Sequence, residues 1–376
     1  MQAAAAAVQG FAPLGARRKD LPKHNAPLLF KAGPGALRDV RKRGFAAERI
    51  GTIAGASGGP KWLVLSQLDR VIIDRILPKL AGPVHFAGSS IGAWRFACYG
   101  QFSPLAALSR FEEAYITQAY GAKPTGAEIT RKSREILATV LGDRGASDIV
   151  THPYVRLHVL TVRCGRLTSS EFRPLLASGL LVAACANAVS RRTLGMFFKR
   201  GLFYDPRDLP PFYNATGFPL ERVPLTRDNV ADAIVASGSI PMVLSGVRNI
   251  HGAPPGIYRD GGVIDYHLDL PLAEPDRLTL YPHFFEQLVP GWFDKKLRWR
   301  RLNPLHTDRT ILICPSPDFI AGLPGGKIPD RTDFVRMTHE KRVRVWRSIV
   351  SACRELADDL NEVLEKDQLA ARLQPL

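Results

Sequence analysis

Cysteine is scarce in this chain and poorly placed for cross-linking. Its five cysteines, Cys98, Cys164, Cys185, Cys314 and Cys353, are widely scattered and form no C-x-x-C pair. An odd, scattered set excludes a disulfide framework and a cysteine-rich zinc site. It reads instead as buried, reduced thiols of a cytoplasmic protein. Long apolar runs are missing too. The longest uncharged stretch, Pro174 to Ser190, contains Ser178, Gly179 and Asn187. It falls short of the ~20 apolar residues of a bilayer span, which predicts a core helix and no membrane-spanning segment. The opening MQAAAAAVQGFAPLGARRKD lacks a basic region ahead of an apolar one. It is expected to be a poorly ordered tail rather than a signal peptide. Internal repeats and low-complexity linkers are absent as well.

Acidic residues are also in deficit: 35 Asp and Glu face 51 Lys and Arg, a net charge of +16. The excess is local. Residues 1–50 hold ten basic and three acidic side chains, and Gly291–Arg301 and Arg336–Arg347 each hold five basic and one acidic. The rest of the chain is nearly neutral, so an anionic partner would meet particular segments rather than the whole surface. With 376 residues, 45% of them hydrophobic and 23% charged, there is ample material for a core. That composition excludes disorder, collagen-like structure and coiled coil for the bulk of the chain.

Short apolar runs closed by glycines alternate with helical periodicities. Arg49–Ala54 ends in GASGGPKW; Trp62, Leu65, Leu68, Ile72, Ile73 and Ile76 then recur at helical spacing. Val84–Ala87 runs into Gly88-Ser89-Ser90-Ile91-Gly92, again followed by a helical pattern. Further strands are predicted at Val155–Cys164, Gly256–Gly262 and Arg309–Cys314, and helices at Leu175–Val189, from an Asp228 cap through Val235, and from Thr332 or Asp333 to about Glu365. This is the grammar of an α/β sheet with crossover helices. One large domain with insertions is expected: a tail and basic segment over residues 1–48, the domain over 49–320, and a helical extension over 321–376 packed on it.

Gly88-Ser89-Ser90-Ile91-Gly92 fits G-x-S-x-G, in which a sharp strand-to-helix turn exposes the middle serine and the glycines relieve crowding. A serine hydroxyl needs a base to become a nucleophile. His267 and His283 follow Asp260 in the chain order of a Ser-Asp-His triad, but neither has distinctive surroundings. The distinctive acid is Asp260 itself, in Asp260-Gly261-Gly262 at a strand end, although D-G-G alone is an ordinary turn. About thirty residues before the serine lies Ser57-Gly58-Gly59-Pro60-Lys61-Trp62. Glycines there let backbone N–H groups approach a developing oxyanion. A phosphate-binding loop fits poorly, because Pro60 precedes the lysine and Trp62 follows it.

Together these segments resemble the patatin-like phospholipase family, whose marks are G-G-G-x-[RK]-G, G-x-S-x-G and a later D-G-[GA]. Here they stand as SGGPKW, GSSIGAW and DGG, with Ala236-Ser237-Gly238-Ser239-Ile240-Pro241 similar to the family's A-S-x-x-I-P, over about Arg49 to Asp265. Two departures are Ser57 for the first glycine of the oxyanion loop and Trp62 for its last; Pro60 has no N–H to donate. The resemblance implies a three-layer α/β/α fold with a mainly parallel sheet and insertions. It also implies a Ser90–Asp260 dyad that hydrolyses lipid carboxylic esters with neither cofactor nor metal. Gly58 and Gly59 are then the expected oxyanion donors, with Ser57, Lys61, Gly88, Gly92, Gly261 and Gly262 in support. The rival readings are a non-catalytic lipid-binding relative and a Ser-His-Asp esterase.

Phe284–Arg301 interleaves aromatic and basic side chains. Trp292, Phe293, Lys295, Lys296, Arg298, Trp299, Arg300 and Arg301 are accordingly expected to contact an anionic membrane surface peripherally. No recognised nucleic-acid fold accompanies them, and no nucleic-acid partner is expected.

Overall fold

The computed structural model describes residues 26–376, so most of the expected N-terminal tail, residues 1–25, lies outside the described residues. The described residues contain β1 (Leu28–Ala32), β2 (Ile50–Gly55), β3 (Val84–Ser89), β4 (Val155–Cys164), β5 (Phe198–Tyr204), β6 (Leu220–Pro224), β7 (Val247–Arg248), β8 (Ile257–Asp260), β9 (Leu278–Pro282), β10 (Thr310–Pro315) and β11 (Leu373–Pro375). They form one sheet in the order β11-β1-β10-β9-β2-β3-β4-β5-β6, with β8 beside β4 and β7 beside β8. The run β10-β9-β2-β3-β4 is parallel, whereas β1 and β5 pair antiparallel with β10 and β4.

Every residue of β2, β3, β9 and β10 is buried. Successive side chains on a strand point to opposite faces, so this burial requires cover on both faces of the sheet. The result is the expected mixed α/β architecture with helical layers on both sides of a mainly parallel sheet.

Several local expectations differ from the structure. Residues 28–43, read as part of a basic segment ahead of the domain, supply β1 inside the sheet and the helix Pro34–Arg43. The helix expected from Trp62 is a 3-10 turn over Gly59–Leu65, an α-turn over Ser66–Val71 and a π-turn over Ile72–Ile76. Trp62, Leu63, Val64 and Leu65 are all buried, which takes that stretch out of one-face periodicity. The helix near Asp228 begins at Val230, with Asn229 rather than Asp228 at its cap position. The C-terminal helix breaks into Asp333–Arg336, His339–Ala352 and Arg354–Glu365. Met337 is extended there, and the Thr338 hydroxyl caps the next helix by accepting the Lys341 N–H. Four cysteines are buried as expected, but Cys185 is exposed on the Arg173–Val189 helix.

The Ile91–Tyr99 helix, which follows β3, is buried along its whole length. Arg95 fixes it with a bidentate pair to Asp69, in which its Nε donates to Oδ2 at 2.8 Å, and the Tyr99 hydroxyl donates to the same carboxylate at 2.9 Å. A buried charge pair is tolerated when hydrogen bonds take up its remaining polar groups, as this one does. A second such pair, Arg200 with Asp265 at 2.7 Å on both arms, holds the chain just past Asp260.

Candidate active site

Two strands meet end to end on one side of β4. The parallel neighbour β3 covers only the first part of β4 and stops with Ser89 opposite Leu160. From Thr161 onward the same side is taken by β8, which runs antiparallel and ends with Asp260 opposite Thr161. Strand register alone therefore brings the residue after Ser89 to Asp260, across 170 positions of sequence. The Ser90 hydroxyl donates to Asp260 Oδ2 at 2.8 Å, and the Gly262 N–H donates to Oδ1 at 2.7 Å.

Ser90 sits at φ 54°, ψ −125°, a conformation costly for a side chain-bearing residue. Its N–H donates to Ser237 Oγ at 2.8 Å, and that hydroxyl donates on to the Leu160 carbonyl at 2.6 Å. Two residues on, the Ser239 carbonyl accepts the Asp260 N–H at 3.0 Å. The Ala236–Pro241 segment thus ties both members of the pair to one scaffold. The sequence marks this segment only through its family resemblance; the bridging roles of Ser237 and Ser239 had no local signal.

The glycines answer to close approach. A Cβ on Gly92 would lie 2.1 Å from the Gly55 carbonyl oxygen, and one on Gly88 would lie 2.6 Å from Ala93. Gly261 and Gly262 would meet Leu160 at 2.2 Å and Ser57 at 2.5 Å. Side chains at these positions would force apart the ends of β2, β3 and β8.

Burial raises the Asp260 carboxyl above its ordinary 3.8, opposed by the Ser90 and Gly262 hydrogen bonds and by the charges of Arg331 and Lys295. A base able to take a serine proton near neutrality needs an upward shift of this sense. His267 and His283 are buried and hydrogen-bond elsewhere. His267 Nδ1 accepts the Val289 N–H at 2.9 Å, and His283 Nδ1 meets the Phe285 backbone. Burial holds both rings neutral, His283 down at about 3. Neither reaches Ser90 or Asp260.

In the loop after β2, the Ser57 N–H donates to the Tyr266 carbonyl at 2.9 Å, and its hydroxyl donates to Ser89 Oγ at 3.0 Å. Gly58 lines the cavity beside Ser90, while Gly59 occupies left-handed φ 56°. Neither glycine N–H is taken by an acceptor among the described residues. Trp62 turns into the core and stacks on Phe111 with centroids 4.4 Å apart, so it anchors the loop at the position where the patatin-like pattern would have glycine.

The cavity over Ser90 and Asp260 is lined by Ile240, Pro241, Tyr266, Trp292 and Arg331, and leaves about 10 Å³ open, roughly one water molecule. Three cations gather around it: Lys61, Lys295 and Arg331. None has a carboxylate within ion-pair distance among the described residues. Lys295 Nζ stands 3.9 Å over the Tyr266 ring, and Lys61 Nζ stands 6.0 Å from the Phe284 and Phe285 rings. Burial first, and Arg331 second, push Lys61 down to about 8 and Lys295 well below its usual range. Arg331, Tyr266 and the inward role of Lys295 escape sequence reasoning, because nothing local marks them.

The expected membrane segment divides. Trp292 lines the cavity, Phe293 packs on Phe198, Lys295 faces Tyr266, and Arg300 donates to the Asn187 carbonyl at 2.7 Å. Lys296, Arg298, Trp299 and Arg301 remain exposed. Among the described residues no helix is long and apolar enough to cross a membrane.

Searches of protein-family models and of curated sequences find no match. Among solved structures, the chain is similar to VipD from Legionella pneumophila at 11% identity and a TM-score of 0.30, over 70% of this chain. The match spans about half of VipD, 54% of its length.

Proposed function

We propose that the chain is a serine hydrolase of lipid carboxylic esters, working peripherally at a membrane with a Ser90–Asp260 dyad of the patatin-like kind. The observation that carries this reading is the 2.8 Å hydrogen bond from a conformationally strained serine to a buried, upward-shifted aspartate. Asp260 takes the Ser90 proton as Oγ attacks the ester carbonyl. The carbonyl oxygen becomes an oxyanion, met by the N–H groups of Gly58 and Gly59. Collapse breaks the ester C–O bond, and Asp260 returns its proton to the departing alcohol. Water then adds to the acyl-serine by the same sequence, releasing the fatty acid and restoring Ser90. Lys61, Lys295 and Arg331 add positive potential where the oxyanion and an anionic headgroup would form or bind.

Fluorophosphonate labelling with peptide mapping tests the assignment. A tag on Ser90, with ester turnover lost by at least about 10³-fold in Ser90→Ala and Asp260→Asn, is expected. Turnover unaffected by either substitution would remove the dyad. No label and no turnover would leave a lipid-binding relative without catalysis.

A further inference from the structure

The Arg173–Val189 helix carries a single charged side chain, Arg173, in seventeen residues. One face, including Leu176, Leu180, Ala183 and Asn187, is buried. It rests on a satellite core with Phe197, Phe198, Val263 and Ile264, set apart from the main one. The opposite face is open, contrary to the buried core helix expected from the sequence. Leu181 is 65% exposed, Val182 50% and Val189 86%, with Phe172 just ahead of the helix at 68%. These positions recur at three- and four-residue spacing with Leu175, Ser178 and Cys185, so they form one continuous uncharged stripe. The outward face of a water-exposed helix is ordinarily polar, and a helix apolar on every side is buried or lies in lipid.

The rim of this stripe is basic. Arg173 precedes it and Arg192 follows it, both exposed. At its C-terminal end the helix meets, through Asn187, the segment that also carries the exposed Lys296, Arg298, Trp299 and Arg301. Arg300 binds the Asn187 carbonyl there, and Asn187 Nδ2 donates to Asp294 Oδ1 at 2.8 Å. The nearby acid Glu171 is already paired, at 2.7 Å, with Arg259. An apolar stripe with a cationic rim and an exposed tryptophan is complementary to an anionic bilayer. A second copy of the chain would set one basic rim against another, which is repulsive.

We propose that the exposed face of Arg173–Val189 is a lipid-docking helix. It lies in the headgroup boundary of an anionic bilayer, with Trp299 and the basic rim at headgroup level. Docking does not depend on the dyad. Its consequence for the cavity does rest on the proposed hydrolase reading: the helix packs against the Trp292–Asp294 turn, and Trp292 lines the cavity.

The test is co-sedimentation of the full Ser90→Ala chain with phosphatidylcholine vesicles, with and without phosphatidylserine. The expected result is stronger partitioning to the anionic vesicles, weakened by salt. Leu181→Glu/Val182→Glu should reduce it by about tenfold or more, with circular dichroism unchanged because both side chains point to solvent. Arg298→Glu/Arg301→Glu should remove the preference for phosphatidylserine while leaving weak binding. Wild-type partitioning by the Leu181→Glu/Val182→Glu protein would overturn the proposal. So would an oligomer that this double substitution dissolves without lipid, since the face would then be a protein interface. Turnover of a short soluble ester by Ser90-intact protein separates the two readings: its loss sinks the hydrolase, and its persistence in the double variant leaves docking judged on vesicles alone.

Discussion

Asp260 meets two opposed demands at the level of the single residue. In the proposed dyad it must be ionised to take the Ser90 proton, yet burial disfavours the charge and raises its pKa above the ordinary 3.8. Turnover therefore falls as pH drops through this raised value, and the acid limb of kcat lies above that of an exposed aspartate. Arg331 and Lys295 oppose the shift. Arg331→Gln or Lys295→Met is expected to raise the Asp260 pKa further and move the acid limb to higher pH. An unmoved limb in both variants would show that these cations act elsewhere. The same shift has a stability counterpart. A carboxyl whose pKa is raised on folding contributes stability below its unfolded pKa and loses it as pH rises through the folded value. Asp260→Asn should thus be inactive but more stable at neutral pH, by about 0.5–2 kcal/mol, a gain typical of relieving a functional site. Urea denaturation at neutral and acid pH checks this: the difference should vanish in acid.

At the level of elements, the site is a meeting of chain ends. The glycine turns after β2, β3 and β8 were legible in the sequence, because a tight strand-to-helix turn needs glycine at fixed local offsets. The parallel core was legible for a similar reason: apolar runs closed by glycines leave few other arrangements. What was hidden depends on pairing over long separations. The end-to-end placement of β3 and β8 along β4 leaves no trace in either segment. The arrival of Arg331 from beyond the last central strand leaves none either. Ser237 shows the difference most clearly, since its place in Ala-Ser-Gly-Ser-Ile-Pro suggests resemblance but not work. Its hydroxyl accepts the Ser90 N–H and donates to Leu160, holding the elbow to both β4 and the Val230–Ser237 helix. Removing it frees the strained backbone of Ser90 to relax. Ser237→Ala is expected to lower kcat about 10–100-fold with KM little changed, since a small misplacement of a reacting group is enough. Ser237→Thr, which keeps the hydroxyl, should recover most of the loss. Equal defects in the alanine and threonine variants would point to packing instead.

For the whole molecule, basic charge and a small cavity belong to one problem. Most of the +16 falls in three short segments of the sequence, whereas Lys61, Lys295 and Arg331 crowd Ser90 and Asp260. The cavity there leaves room for about one water, so on the proposed reading Trp292 or Arg331, which line it, would have to move for an acyl ester to reach Ser90. The Arg173–Val189 helix, the proposed docking element, packs on the Trp292–Asp294 turn. On the proposed reading, adsorption to a bilayer would favour a form with Trp292 displaced, since a ligand or surface shifts a two-state equilibrium only through its differential affinity for one state. Turnover should accordingly rise sharply when an ester substrate passes from monomers to micelles or anionic vesicles, and the rise should shrink with salt. Where the open form is a minor state in solution, apparent affinity for monomeric ester is reduced by its fractional population. Trp292→Ala, which empties part of the closing wall, is expected to raise turnover of monomeric ester by about tenfold and to flatten the interfacial rise. Stopped-time assays on a short-chain ester, taken below and above its critical micelle concentration, measure both effects together. Unchanged monomer turnover with an unchanged interfacial rise would mean that Trp292 is not the barrier, and would shift the opening to the Arg331 side of the cavity.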